Sequence, residues 1–293
     1  MQLIPIQCTI FLNGLPRPKI FFSGTTSTDL KGVSKYAVVY PVKEFLHVVD
    51  TVEGCTLPGV FLLVPRAKMT KRYNDMKSYH DLIKALEYTT SIKCTNPRSS
   101  VNREVVFEGG NRNYVNLGTK ALRNSRGLVS DLKGLCDRPD HLKQIASLQS
   151  TMEHAAIEYI DSESLLCIKN TKQMSGYPGF PLRDGRDSHI WPTMAIAQNI
   201  FLQAHTDIDY FTSATTTLHA SEGGLNMNDE VCNYFCFPRH GLAISIRNGD
   251  LLLFNPLELH CVSSRCNAEL VYYNVSLYLK TSVVGGNDNS RII

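Results

Sequence analysis

The chain has 293 residues, of which 43% are hydrophobic and 19% are charged, a composition typical of a folded globular protein. This composition excludes collagen-like, largely disordered and small disulfide-stapled chains. The 30 basic and 27 acidic residues give a net charge of +3, which by itself does not indicate a polyanionic partner. We expect no membrane segment and no secretory signal, because no apolar run approaches the roughly 20 residues that span a bilayer.

Residues 1–88 alternate short apolar runs with turn residues, a pattern that predicts strands. The runs assigned to strands are residues 10–12, 19–22, 36–40 and 59–64. Apolar residues then recur at helical spacing between residues 74 and 88, which predicts a helix. Its apolar side consists of Met76, Tyr79, Leu82, Ile83 and Leu86.

Residues 89–139 are polar, and the stretch 109–130 contains neither Asp nor Glu. The basic residues in this stretch are Arg112, Lys120, Arg123 and Arg126. They can follow a phosphate backbone, with Tyr114 free to stack on a base. The alternative is an ordinary solvated loop, because short basic runs are common on protein surfaces.

A second helix is predicted from residue 139 or 140 to about 160, followed by a region rich in strand patterns and largely without helical periodicity. The predicted strands are residues 200–205, 210–219, 242–246, 250–254, 260–262 and 270–279. Asn248 and Gly249 separate two of these runs and predict a two-residue hairpin turn of type I′. Such a region favours a β-sandwich or β-barrel.

The strongest chemical signal is a set of three residues, His205, Asp207 and His260. Residues i and i+2 of an extended segment point to the same face, so His205 and Asp207 can converge on one atom. An imidazole from a distant strand completes two nitrogens and one carboxylate. This set holds one face of an octahedral Fe(II) and leaves positions open for oxygen and a co-substrate.

The order of these residues resembles that of the Fe(II)/2-oxoglutarate dioxygenases, and the stretch 241–262 is the most specific part of the likeness. In that family a Gly-Asp pair and an apolar strand lead to the distal histidine, as Gly249, Asp250 and His260 do here. The resemblance implies an α+β protein with a double-stranded β-helix (jelly-roll) core and flanking helices. We place this core at residues 140–293, behind a β-rich N-terminal extension at residues 1–139. The resemblance also includes, more loosely, the DNA dioxygenases that oxidise methylcytosine and thymine.

The co-substrate site departs from the family pattern. A basic residue commonly precedes Ser at this position and pairs with the distal carboxylate of 2-oxoglutarate, whereas Asn274 precedes Ser276 here. Arg265 or Lys280 can supply the missing cation. Otherwise the reductant is ascorbate, which an algal branch of methylcytosine-modifying dioxygenases uses and which tolerates neutral neighbours.

The substrate is expected to be a modified DNA base, which must be extruded from the duplex to reach the iron. Tyr210 and Phe211 are candidates for stacking on that base, with packing inside the barrel as the alternative. His219 is a candidate for the pocket wall. The runner-up function is a protein or small-molecule hydroxylase, for which basic residues would be scattered rather than grouped around the iron. A third class, an inactive binding module, conflicts with the intact ligand set.

The nine cysteines are scattered and odd in number, which indicates reduced thiols and a cytoplasmic or nuclear protein. The pairs Cys232 with Cys236 and Cys261 with Cys266 have spacings at or near those of zinc sites. Buried free thiols are the favoured interpretation.

Overall fold

The structure is a computed structural model. It describes residues 19–23, 37–41, 47–49, 56–57, 60–64, 69, 76–92, 105–107, 114–118, 121–122, 125–128, 135, 137–160, 190–191, 193–207, 209–220, 230–263, 265–267 and 269–280. The predicted strand at residues 10–12 and the side chains of Arg112, Lys120, Arg123 and Arg126 lie outside the described residues.

Among the described residues, nine short strands and two long helices precede the region with the metal motif. The strands are β1 (Lys19–Ser23), β2 (Ala37–Pro41), β3 (His47–Val49), β4 (Thr56–Leu57), β5 (Phe61–Val64), β6 (Val105–Phe107), β7 (Tyr114–Gly118), β8 (Ala121–Leu122) and β9 (Ser125–Leu128). The helices are α1 (Met76–Ser91) and α2 (Pro139–Ile157). Both helices and strands β1, β2 and β5 agree with the apolar patterns within a few residues, whereas β3, β4 and β6 to β9 are not predicted by them.

Eight further strands follow in the region where the sequence predicts an all-β body. They are β10 (Thr193–Gln198), β11 (Ile200–His205), β12 (Asp209–His219), β13 (Val231–Phe237), β14 (Leu242–Arg247), β15 (Leu251–Phe254), β16 (His260–Val262) and β17 (Tyr272–Lys280).

These eight strands form two facing antiparallel sheets of a double-stranded β-helix, as the sequence predicts. One sheet has the order β15-β12-β17-β10 and the other β14-β13-β16-β11. The N-terminal strands lengthen both sheets: β4, β5 and β7 extend the first to seven strands, and β3 and β6 extend the second to six. Residues on both sides of position 139 therefore share the same sheets, and the domain boundary there stays a prediction.

The two faces of the seven-stranded sheet have different environments. Val275, Leu277 and Leu279 of β17 belong to one hydrophobic cluster with residues of α1 and α2, so this face carries the helices. The other face of this sheet is turned toward the second sheet. There, Leu252 and Phe254 of β15 pack against apolar residues of β13 and β14. Burial of the helical face removes apolar surface from water and stabilises both layers.

The turn at Asn248 and Gly249 is not the hairpin that the sequence predicts. β14 and β15 lie in different sheets, so this turn carries the chain from one sheet to the other. The amide of Asp250 donates to the carbonyl oxygen of Arg247, and only Gly249 of the two central residues has a positive φ, at 80°. This is the pattern of a type II turn rather than type I′.

The structure also corrects the prediction for residues 114–118. They form β7, an edge strand that pairs with β10, and are neither a solvated loop nor a free stacking platform. The phenol of Tyr114 donates to Asn116 Oδ1 at 2.7 Å. The basic stretch is therefore interrupted by a segment that belongs to the sheet.

No helix among the described residues is long and apolar enough to cross a membrane.

Replacing Gly249 by Val should destabilise the fold, because a β-branched residue at positive φ clashes with its own backbone. We expect a loss of about 1–2 kcal/mol in the free energy of unfolding, measured by urea denaturation. Gly249→Asn is the matched control, because Asn tolerates this region of backbone space, and should lose less. Equal stability of the Val variant and the wild type would contradict the assigned turn.

Candidate metal centre

Strand pairing brings the two histidines of the motif together. His205 is the last residue of β11, His260 is the first residue of β16, and the two are direct partners in the antiparallel register. Their ring centroids are 4.4 Å apart. Asp207 follows β11 by two residues, and its side chain lies beside both imidazoles.

The geometry of the three side chains fits a metal ion. Asp207 Oδ2 lies 3.6 Å from His205 Nε2 and 3.5 Å from His260 Nε2. One ligand atom from each residue falls within 4.8 Å of the others, and no other His, Cys, Asp or Glu group in the described part of the chain meets this condition. Two imidazoles and one carboxylate suit Fe(II) and leave one face of the ion open.

His260 is held in the orientation that a metal ligand needs. Its Nδ1 donates to the carbonyl oxygen of Glu258 at 2.8 Å, which leaves Nε2 as the acceptor facing Asp207. Phe235 stacks on the imidazole at 5.5 Å, and Phe254 packs against it edge-on at 5.0 Å. Burial lowers the pKa of His260 and outweighs the opposing effect of Asp207, so the imidazole is neutral and able to bind a metal.

The three ligand candidates differ in exposure, which defines the open side of the site. The side chain of His260 is 3% exposed, whereas those of His205 and Asp207 are 17% and 14% exposed. The site is therefore reached from the side of β11 and the segment that follows it.

One part of the barrel interior is lined by neutral polar side chains. Thr215 of β12 is the register partner of Leu252, whose side chain faces the barrel interior. Register partners share a face, so Thr215 and Thr217 and their partners in β17, Ser276 and Asn274, also face the interior. Thr215 Oγ1 lies 2.9 Å from Ser276 Oγ, and Asn274 Nδ2 donates to Thr217 Oγ1 at 2.9 Å. We call Thr215, Thr217, Asn274 and Ser276 the neutral lane.

A second polar group lies on the same face, close enough to Asp207 for its charge to act on Tyr278. Tyr278 and Tyr114 both donate to Asn116 Oδ1, at 2.9 and 2.7 Å. Burial, followed by Tyr114, Asp209 and Asp207, raises the pKa of Tyr278, which keeps its phenolic proton. Sequence inspection missed this group, although the alternation of Asn274, Ser276 and Tyr278 along β17 contains the signal.

The two candidate cations, Arg265 and Lys280, lie in different parts of the fold. Arg265 lies in the segment between β16 and β17, and its Nη1 donates to the carbonyl oxygen of Leu270 at 2.8 Å. Lys280 is the last residue of β17 and the register partner of Asp209, so its position shares a face with Ser276 and Tyr278. The side chain of Lys280 lies outside the described residues.

The remaining predicted residues lie along β12. Tyr210 and Phe211 are in this strand, and their side chains are not among those described. His219 is at the opposite end of β12 from Asp209, about 30 Å along an extended strand. It is fully buried, and its ring meets Tyr272 edge-on at 5.4 Å. The structure therefore does not bring His219 to the metal ligands.

Neither of the two cysteine pairs belongs to a metal-binding cluster among the described residues. Cys232, Cys236, Cys261 and Cys266 are free thiols, and the first three are buried. Burial raises the pKa of Cys236 well above its usual range, so its thiol stays protonated. This agrees with the predicted buried thiols.

Comparison with solved structures identifies the architecture. The structure of NgTET1 in complex with 5mC DNA matches with a TM-score of 0.50 and 11% identity, over 81% of this chain and 83% of that chain. The chain shares the double-stranded β-helix fold of that structure. A Trichoplax adhaerens prolyl hydroxylase bound to a hypoxia inducible factor peptide matches at 0.37 and 10% identity, over 79% of this chain and 89% of that one. A rice dioxygenase for auxin oxidation matches at 0.35 and 13% identity, over 70% and 69%. No family model and no curated protein matches the sequence.

Replacing His205 or His260 by Ala should remove Fe(II) binding, because two remaining ligands compete poorly with water. We expect more than about a 100-fold loss of affinity in each variant, measured by anaerobic titration with Fe(II). His154→Ala is the matched control, because His154 is an exposed histidine on α2. Wild-type affinity in both single variants would contradict the assignment.

Proposed function

We propose that this protein is an Fe(II)-dependent dioxygenase that oxidises a C–H bond, with 2-oxoglutarate as co-substrate. His205, Asp207 and His260 are the proposed ligands. The observation that carries the proposal is their convergence within 4.8 Å inside a double-stranded β-helix. The described fold and the ligand chemistry point to the same reaction class.

The iron, when bound, supplies the activation of molecular oxygen. The protein contributes a carboxylate at Asp207 and two imidazoles, of which His260 is kept neutral and oriented by the Glu258 carbonyl. Phe235 and Phe254 exclude water from the buried side of His260. Substrate and co-substrate must therefore approach from the more exposed side of His205 and Asp207.

The direct test is an anaerobic titration with Fe(II), followed by oxygen uptake with 2-oxoglutarate or ascorbate, each with and without methylated DNA. The proposal requires one Fe(II) per chain and oxygen uptake that depends on it. Failure of the protein to bind Fe(II) would contradict the proposal that it is an Fe(II)-dependent dioxygenase.

We infer that the substrate is a modified base in DNA. Two observations support this inference: a structure with the same fold, NgTET1, is a complex with 5mC DNA, and basic residues are concentrated in an acid-free stretch of the sequence. Extrusion of the base would bring its methyl group to the open side of the metal ligands. A protein or small-molecule hydroxylase remains the alternative.

The basic residues of this stretch should add affinity for DNA without sequence preference. Replacing Arg112, Lys120, Arg123 and Arg126 together by Gln should lower the salt slope of binding by about one for each lost phosphate contact. The measurement is fluorescence anisotropy across a salt series, on duplexes of two different sequences. Unchanged affinity and slope would identify the stretch as an ordinary surface segment.

The neutral lane favours ascorbate as a second candidate co-substrate. A desolvated carboxylate of 2-oxoglutarate needs a cation or several strong donors, and the described lane offers only hydroxyls and an amide. Ascorbate carries mostly neutral hydroxyls and loses less in such surroundings. Lys280 is the position from which a cation could restore the usual pairing.

Binding of 2-oxoglutarate should therefore depend on Lys280 or Arg265, or be about 100-fold weaker than with a paired carboxylate. Without such a cation, oxygen uptake should respond to ascorbate as a stoichiometric reactant and only weakly to 2-oxoglutarate. The assay is oxygen uptake with parallel detection of succinate. Succinate and carbon dioxide formed in step with product would refute the ascorbate alternative.

A further inference from the structure

An exposed leucine lies in the turn that contacts Asp207 and His260. The side chain of Leu257 is 60% exposed, and Ile157 at 38% is the other exposed large apolar side chain among the described residues. A single exposed apolar residue is ordinary on a protein surface. The position of Leu257 relative to the metal ligands is what distinguishes it.

Leu257 lies between two residues whose carbonyl groups contact the metal ligands. The carbonyl oxygen of Pro256 accepts from the amide of Asp207 at 2.8 Å, and that of Glu258 accepts from His260 Nδ1 at 2.8 Å. These contacts involve only the backbone of the turn. Leu257 is therefore adjacent in sequence to both contacts, and its side chain takes no part in them.

The turn of residues 255–258 is fixed by further hydrogen bonds. Asn255 Oδ1 accepts from the amide of Leu257 at 3.0 Å, and its carbonyl oxygen accepts from the amide of Glu258 at 3.1 Å. The amide of Asn255 donates to the carbonyl oxygen of Val60 at 2.8 Å. A side chain on so constrained a turn loses little backbone freedom when it contacts a substrate.

The turn contacts a short helix that carries a cationic residue. Glu258 Oε2 is 3.3 Å from Nε2 of His240, and the exposed Arg239 precedes His240 in the 3₁₀ helix Pro238–His240. The turn thus combines an exposed apolar tip and the Glu258 carboxylate with a contacting helix that carries an exposed guanidinium. Duplex DNA suits this combination, because its phosphates attract cations and its stacked bases accept apolar wedges.

We propose that Leu257 inserts into the base stack beside the extruded base and that Arg239 bonds an adjacent phosphate, an inference that rests on the proposed DNA substrate. Extrusion of a base leaves an apolar gap between its neighbours, and the leucine fills this gap. The contact lowers the free energy of the unstacked state and so favours entry of the base into the site.

The test compares Leu257→Ala with Ile157→Ala on the full chain loaded with Fe(II) without oxygen. The probe is a duplex containing 5-methylcytosine with 2-aminopurine as its neighbour, whose fluorescence rises when the base stack opens. Leu257→Ala should bind about tenfold more weakly and raise the fluorescence less at saturation. Leu257→Met should recover both signals, and Ile157→Ala should behave as the wild type.

Arg239→Gln separates the two roles. It should lower the salt slope of binding by about one and leave the fluorescence at saturation unchanged. Titration with Fe(II) accompanies each variant, because Leu257→Ala leaves every backbone contact of the turn in place and should bind the metal normally.

The outcomes distinguish this inference from the proposed function. Wild-type affinity and fluorescence in Leu257→Ala would overturn the wedge while leaving the iron centre and the DNA substrate intact. A wild-type protein that binds Fe(II) but not the duplex would overturn the wedge and the DNA substrate together, and would favour a protein or small-molecule substrate. Loss of Fe(II) binding by the wild type would overturn the proposed function itself.

Discussion

The antiparallel pairing of β11 with β16 is the constraint on which the candidate centre depends. Because His205 and His260 are register partners, the hydrogen bonds between these strands fix the separation of the two imidazoles. A shift of this register by one residue would turn one of the histidines to the other face of the sheet. The flanking pairs of β16 with β13 and of β11 with β6 hold the register on both sides.

The segment between β15 and β16 couples the fold to the ligands. It leaves the seven-stranded sheet at Phe254 and enters the other sheet at His260, and on the way its carbonyls contact Asp207 and His260. One crossing between sheets thus contacts two of the ligand candidates and leaves Leu257 exposed. The candidate centre therefore lies where this segment enters the second sheet, at His260.

The interior is divided between two kinds of surface. Phe235, Phe254 and their neighbours form an apolar half around His260, whereas the neutral lane and the pair Tyr114 and Tyr278 form a polar half. Hydrogen bonds among the polar side chains offset the cost of their burial. The polar half of the interior thus consists, among the described side chains, of hydroxyl, amide and phenol groups.

Local pattern predicted the two long helices, nine of the seventeen described strands and the three ligand candidates, because apolar periodicity and the His-x-Asp spacing are properties of short segments. The sequence alone did not determine which strands are neighbours. The Asn248–Gly249 turn has the local signature of a hairpin, but β14 and β15 find their partners in opposite sheets. In the sequence, residues 114–118 likewise belong to a polar stretch, although pairing with β10 makes them a sheet strand.

The contacts of Tyr278 with Asn116, and of Glu258 with His260, also arise only after folding. Hydrogen bonding between strands and burial of side chains act between distant segments, and for this reason only the tertiary structure decided them.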